Sequence, residues 1–261
     1  MRPISKYYVS ACKCKYECKG FTKSKLTFAR MSGDIIQAFT LTHSERAPIC
    51  SVNFGVFPLC MPTPVFLDAG RYELDMFAID HHLMGTGWLY DVASSASIQN
   101  CVEGITQTID QHLLPFFDAC YDCRSALLES IKLEDLFERN RKIMLHQIHE
   151  TDCALPWSER EFHDSRKYYM ALKAKDLSYA INYLNYQIDF CKRKLKFFNG
   201  KGAPKQPDIV VKRFEEKLAL YTEQLEKVEL SDSDYIHTLL HRNEQQMLEY
   251  IASKYPKIIK M

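Results

Sequence analysis

The stretch GFTKSKLTFARMSGDIIQAFTLTHSERAPICSVNFGVFP, from Gly20 to Pro58, decides the fold of this chain. It holds three β-patterned runs in which apolar and polar residues alternate, the period that lets a strand bury one face. Two short polar turns separate the runs, and Ser32-Gly33-Asp34 has the glycine and aspartate of a tight hairpin connection. The stretch therefore predicts three consecutive antiparallel strands.

The residues that follow extend this sheet. Tyr72, Leu74 and Met76 alternate with polar neighbours and predict a fourth strand, and the run 88–90 after Gly85 and Gly87 predicts a short fifth strand. A sheet with one apolar face needs a cover, which helices on both sides of the strands in the sequence can supply. The chain is thus predicted to be an α+β protein whose N-terminal antiparallel sheet of about five strands is covered by helices.

Three helices are predicted to provide that cover. The first runs from about Ile4 to Lys19 and ends at Gly20. The second starts from a serine cap at 94–97 and should kink or restart at Pro115, because proline cannot continue the hydrogen-bond ladder. The third covers about Lys132 to Glu150. The apolar faces of the first two comprise Tyr8, Cys12, Tyr16, Ile98, Val102, Ile105, Ile109 and Phe116.

The C-terminal region is predicted to be wholly helical. A breaker-rich link at 151–157 separates it from the sheet, which predicts two domains, 1–152 and 153–261. A helix from Leu177 and another from about Asp208 carry apolar seams of matched length, joined by a short Gly-, Lys- and Pro-rich loop. Such a pair predicts an antiparallel helical hairpin, followed by a last helix capped at Ser231-Asp232.

The helix from Leu177 has a second, aromatic stripe opposite its aliphatic seam. Either this stripe packs on the preceding helix, or part of it is a binding surface, since tyrosines provide large rigid contact area with a polar tip. A basic cluster between Lys192 and Lys205 follows it and could steer an acidic partner. The predicted partner-binding residues are Tyr179, Tyr183, Tyr186, Phe190, Lys192 and Lys194.

Composition excludes several classes of function. The formal net charge of +1, from 34 basic and 33 acidic residues, gives no global field for nucleic acid or an anionic membrane. The longest apolar run, 54–67, is interrupted by three prolines and cannot form the helix of about 20 residues that spans a bilayer. The N-terminal segment has no apolar signal core, so a cytoplasmic location without membrane attachment is expected.

The ten cysteines and nine histidines predict no metal or cofactor site. Cys120-x-x-Cys123 lacks the second pair that a structural zinc site needs. His146-x-x-His149 has no acidic or cysteine partner at a suitable spacing, and His81-His82 indicates an exposed pair. The alternative to a binding protein is a thiol-dependent or hydrolytic enzyme that pairs Cys120 or Cys123 with His112 or His146.

Several short motifs together resemble a bacterial family known only as a domain of unknown function. They are Gly20-Phe21, Phe28-Ala29-Arg30, Gly33-Asp34-Ile35-Ile36-Gln37, Val52-Asn53-Phe54-Gly55-Val56 and Trp88, and the resemblance covers about residues 4 to 130. The segment 169–176, followed by Ala180, also resembles a single tetratricopeptide-type helical unit. The family resemblance implies a cytoplasmic immunity protein that sequesters a toxin, and it implies no catalytic residue.

Together these observations predict a non-catalytic protein-binding module, an immunity or adaptor protein, with a protein as its partner. A small-molecule substrate and a nucleic acid are not expected.

Overall fold

The computed structural model describes residues 3–43, 49–62, 77–78, 90–91, 95–133, 135, 165–200, 208–254 and 256. Within these residues the α+β class is confirmed, with an N-terminal antiparallel sheet and a mostly helical C-terminal region.

Four antiparallel strands lie side by side in chain order and form the body of the sheet. Two further segments of two residues each, β5 and β6, pair with the fourth strand. Among the described residues the sheet thus has four strands of three residues or more, where about five strands were expected. The bounds are β1 Thr22–Ser24, β2 Thr27–Ser32, β3 Ile35–His43, β4 Ile49–Pro58, β5 Phe77–Ala78 and β6 Tyr90–Asp91.

The sequence prediction missed β1, and its later strands can be compared only in part. β1 reads Thr-Lys-Ser and offers no apolar alternation, and a two-residue turn that places Lys25 at a φ of 52° joins it to β2. The predicted strand at Tyr72, Leu74 and Met76 lies outside the described residues, as do Trp88 and Leu89 of the predicted fifth strand.

One face of the sheet is packed with aromatic rings. Phe28 and Phe39 are directly paired across β2 and β3, and their rings stack 5.3 Å apart. Phe54, the partner of Phe39 on β4, lies on the same face and is fully buried. The helix α1, Pro3–Glu17, covers this face, because the Tyr16 ring meets Phe28 and Phe39 edge-on. The predicted apolar face of α1, Tyr8, Cys12 and Tyr16, is confirmed as buried.

The opposite face of the sheet is buried as well, which single-face alternation did not predict. Ile36 and Phe57 are paired on that face and both are buried. Helix α5, Ser165–Lys173, from the C-terminal region covers it, since the Arg166 guanidinium lies 5.2 Å from the Phe57 ring centroid. One continuous core therefore includes residues from before and after the predicted boundary at 152.

The first two predicted helices, one ahead of β1 and one after β6, are confirmed, whereas the helix at 123–133 was not predicted. A π-helical turn, Ile109–Leu113, interrupts the second helix just ahead of Pro115, and α3 restarts there. The predicted restart is confirmed, because proline lacks the N–H and the wider turn absorbs the break. Most of the predicted helix from Lys132 to Glu150 lies outside the described residues. The bounds are α1 Pro3–Glu17, α2 Ser95–Thr108, α3 Leu114–Ala119 and α4 123–133.

The predicted antiparallel hairpin is present as α6 and α7. The Phe214 ring, near the start of α7, contacts Phe198 at the end of α6 at 5.5 Å, and Tyr221 meets Tyr183 further back, so the helices run in opposite directions. Helices α5 and α8 join this region to the sheet, because Asn243 Nδ2 donates a 3.0 Å hydrogen bond to the carbonyl of Cys60. The bounds are α5 Ser165–Lys173, α6 Leu177–Phe198, α7 Asp208–Glu229 and α8 Ser233–Lys254.

Candidate partner-binding surface on the helical hairpin

A tight turn fixes the direction in which the aromatic helix α6 leaves α5. Lys175 adopts a φ of 61°, and the Asp176 N–H donates to the carbonyl of Ala171 at 2.8 Å, the pattern that closes a helix with a left-handed residue. The Asp176 carboxylate then accepts a 3.0 Å hydrogen bond from the N–H of Tyr179 and caps α6. The first turn of the aromatic stripe is thereby anchored against α5.

The half of the stripe nearest this turn is part of the core. Tyr183 is only 3% exposed, and its ring stacks on Tyr168 of α5 at 5.1 Å. Tyr179 is half-buried, packed against the same core. The expectation that Tyr183 contacts a partner is thus corrected, because α5 already covers its ring.

The distal half of the stripe is accessible. Phe197 is 57% exposed, while Tyr186 and Phe190 are half-buried with their rings stacked 6.5 Å apart. The Phe190 ring packs against the Phe214 ring of α7, with the ring centroids 6.2 Å apart. We call Tyr186, Phe190 and Phe197 the distal aromatic patch. Among the described residues of the stripe, Tyr186, Phe190 and Phe197 are more accessible to solvent than Tyr183.

Exposed basic side chains lie on the same turns of α6 as the distal aromatic patch. Lys192, Arg193, Lys194 and Lys196 are all exposed, and Lys194 Nζ lies 5.3 Å from the centroid of the Phe190 ring. Among the ion pairs between described residues, none includes Lys192 or Lys194. Lys201 and Lys205 of the predicted cluster lie outside the described residues. The site therefore combines apolar contact area with cations available to an acidic group.

The thiols proposed for the enzyme alternative are buried. Burial raises the pKa of Cys120 to about 12, and the charged groups that act on it are Glu129 and Lys132. A hydrogen bond with Cys60, followed by burial, raises the pKa of Cys123 well above its ordinary value. His112 is half-exposed and does not contribute to either shift, and His146 lies outside the described residues. A thiol held in its protonated form is a poor nucleophile.

Metal ligands do not gather in the described part of the chain, where no group of three or more His, Cys, Asp or Glu side chains could hold an ion. His81, His82 and His149 lie outside it. Two features shown by the structure were not among the predicted site residues. Phe197, which belongs to the predicted aromatic stripe, is its most exposed member, and His237 and His241 form an exposed pair on α8. The sequence signal for the histidine pair is its spacing of four residues.

No protein-family model matches the chain, and no curated protein and no solved structure matches it either. The resemblances to a family of unknown function and to a tetratricopeptide unit therefore stay predictions. Of the helices that the structure describes, none has the length and apolar character required to traverse a bilayer.

Proposed function

We propose that this protein is a non-catalytic protein-binding module that captures an acidic protein partner with the distal half of the α6–α7 hairpin. The observation that carries the proposal is the exposed ring of Phe197 beside the Phe190–Lys194 contact. Contiguous apolar patches that stay exposed to solvent are typical of interaction sites. Aromatic anchors contribute most of the affinity at such sites, and unpaired lysines accelerate association with a negatively charged surface.

The finer proposal is that the module is a cytoplasmic immunity or adaptor protein that sequesters its partner, such as a toxin. A sequestering protein needs a rigid contact surface and no reaction centre. Its support is the burial of the Cys120 and Cys123 thiols, together with a hairpin that is fixed to the core at Tyr183 and exposes Phe197 at its other end.

A site-specific crosslinking experiment tests the surface. A photo-reactive phenylalanine analogue at position 197 should trap one protein in cells of the source organism, and the charge reversal Lys192→Glu with Lys194→Glu should weaken that crosslink about tenfold or more. The same analogue at Tyr121, which is 63% exposed on a different part of the molecule, is the matched control. Equal trapping at positions 121 and 197 would refute the proposed site.

The kind of molecule that the chain binds separates protein binding from nucleic-acid binding. An acidic protein supports the proposal. Retention of the chain on polyanions that disappears at modest salt, with no protein crosslink from position 197, would favour sequence-blind nucleic-acid binding instead.

A further inference from the structure

Two histidines lie one turn apart on the exposed side of α8. His237 and His241 are both exposed, and their rings are nearly parallel, with an interplanar angle of 12° and centroids 6.0 Å apart. Side chains four residues apart on a helix lie above one another, with Cβ atoms about 5–6 Å apart. The helix itself therefore holds the two imidazoles together, without help from a loop or a second element.

The spacing of the two side chains along the helix brings two imidazoles within reach of one metal ion. A zinc ion lies about 2.0–2.1 Å from each ligating nitrogen, so two nitrogens on the same ion are roughly 3 Å apart. The rings are stacked with centroids 6.0 Å apart, so ligation requires each ring to rotate about its side-chain torsions until one nitrogen of each points at the ion. Imidazole is a suitable ligand for zinc, copper and nickel, and a poor one for the oxygen-preferring magnesium and calcium.

We propose that His237 and His241 form a chelating site for one borderline divalent transition-metal ion of the zinc and nickel class. Asp234 lies on the same stripe of the helix, one turn before His237. No third His, Cys, Asp or Glu among the described residues is grouped with the pair, so water or a donor from another molecule completes the coordination. Two protein ligands hold an ion but do not build the three-ligand centre of a zinc hydrolase.

The site is independent of the proposed partner surface. It lies on α8, and the distal aromatic patch lies on α6. Cys14 and Cys18 are exposed four residues apart near the end of α1, and their sulfurs could also attract a soft metal ion. The test must therefore distinguish nitrogen ligands at α8 from sulfur ligands at α1.

Paramagnetic broadening by Ni²⁺ locates the ion on the full chain. Substoichiometric Ni²⁺ added to the reduced, ¹⁵N-labelled protein should broaden the amide resonances around 237–241 first. The His241→Gln variant should lose that broadening and bind Ni²⁺ at least about tenfold more weakly, because the second imidazole acts at high effective concentration. Glutamine is a good helix former at an exposed position, so the variant should keep the fold.

Two matched variants complete the experiment. Cys14→Ser with Cys18→Ser should retain the broadening at α8, and so should His146→Gln with His149→Gln, which removes another closely spaced histidine pair. Unchanged binding in His241→Gln, or broadening confined to residues near Cys14 and Cys18, would overturn the proposal.

Discussion

Arg30 on β2 and Gln37 on β3 face each other across the sheet, and Arg30 Nε donates a 2.6 Å hydrogen bond to Gln37 Oε1. The same glutamine donates from Nε2 to the carbonyls of Phe117 and Cys120, and Arg30 Nη2 forms an ion pair with Asp118 at 2.6 Å. The last carbonyls of a helix have no partner within it, so this pair supplies donors to the end of α3 and fixes it on the sheet.

Replacing Gln37 by methionine should lower the free energy of unfolding by about 2–4 kcal/mol. The substitution keeps the length of the side chain but removes the Gln37 donor from the Cys120 carbonyl, leaves the Phe117 carbonyl with only the Cys120 N–H, and leaves Arg30 Nε without its acceptor. Urea denaturation measures the loss. Gln99→Met, at an exposed position of α2, is the control and should stay within about 0.5 kcal/mol of the original protein. A change of similar size in both variants would contradict the role of Gln37.

Asp122 should stabilise α4 in a manner that depends on pH. Its Oδ1 accepts 2.7 Å hydrogen bonds from the N–H and from the hydroxyl of Ser125, and the backbone hydrogen bond from Ser125 is the main cause that lowers the Asp122 pKa below its ordinary 3.8. Because the folded pKa is the lower one, this stabilisation is present above the unfolded value of 3.8 and lost as pH falls through the folded value.

Asp122→Ala should therefore lower the free energy of unfolding at pH 7 by about 0.5–2 kcal/mol, the cost of a lost helix cap. Asp122→Asn keeps a capping oxygen but removes the titration, so its stability should vary less with pH below about 4. Identical acid dependence of the original protein and Asp122→Asn would contradict this assignment.

Two tyrosines of α1 should respond oppositely to loss of the hydroxyl group. In the part of the chain that the structure describes, the buried Tyr8 hydroxyl has no hydrogen-bond partner, whereas the Tyr16 hydroxyl donates to the carbonyl of Thr106 at 3.3 Å. Tyr8→Phe should leave the melting temperature unchanged or raise it, because a desolvated polar group is removed. Tyr16→Phe should cost about 0.5–1.5 kcal/mol, the net value of one hydrogen bond. The reverse order of the two melting temperatures would show that Tyr8 has a polar partner.

Gly33 should tolerate alanine less well than Gly20. Both adopt positive φ, 57° and 83°, so alanine adds a strain of roughly 1–2 kcal/mol at each position. At Gly33 the new Cβ would also lie 2.6 Å from the backbone oxygen of Tyr121, whereas nothing lies within 4 Å at Gly20. The melting temperature of Gly33→Ala should consequently fall further. Equal decreases in the two melting temperatures would mean that the backbone at Tyr121 moves aside at no cost in free energy.

The cysteines should divide into fast and slow classes on alkylation of the folded protein. Cys14 and Cys18 are exposed and should react first with iodoacetamide at pH 8, as followed by peptide mass spectrometry. Cys120 should react slowly because, at a pKa of about 12, only about one thiol in ten thousand is ionised at that pH. Cys123 should react as slowly as Cys120. Rapid labelling of Cys120 or Cys123 would support the alternative function, a thiol-dependent enzyme.

Much of the fold could be read from local patterns. The period-two alternation from Leu26 to Val56 predicted β2, β3 and β4 in their observed order, and the seams from Leu177 and Asp208 predicted the hairpin. Pro115 marked the helix restart because proline lacks the N–H for one hydrogen bond of the helix. That loss is local and does not depend on what the helix packs against. The candidate site was predicted less well, since Tyr186, Phe190, Lys192 and Lys194 lie on the accessible half of the hairpin but Tyr183 does not.

By itself the sequence determined which residues share a face of a strand or helix, because a side chain's direction follows from the backbone period alone. Only the tertiary structure decided what covers each face. It placed α5 over Phe57 on the second side of the sheet and over Tyr183 on the aromatic stripe, and it left Phe197 exposed at the far end of the same stripe. Burial depends on contact with residues distant in the chain. The apolar period of a segment is the same whether or not that contact forms.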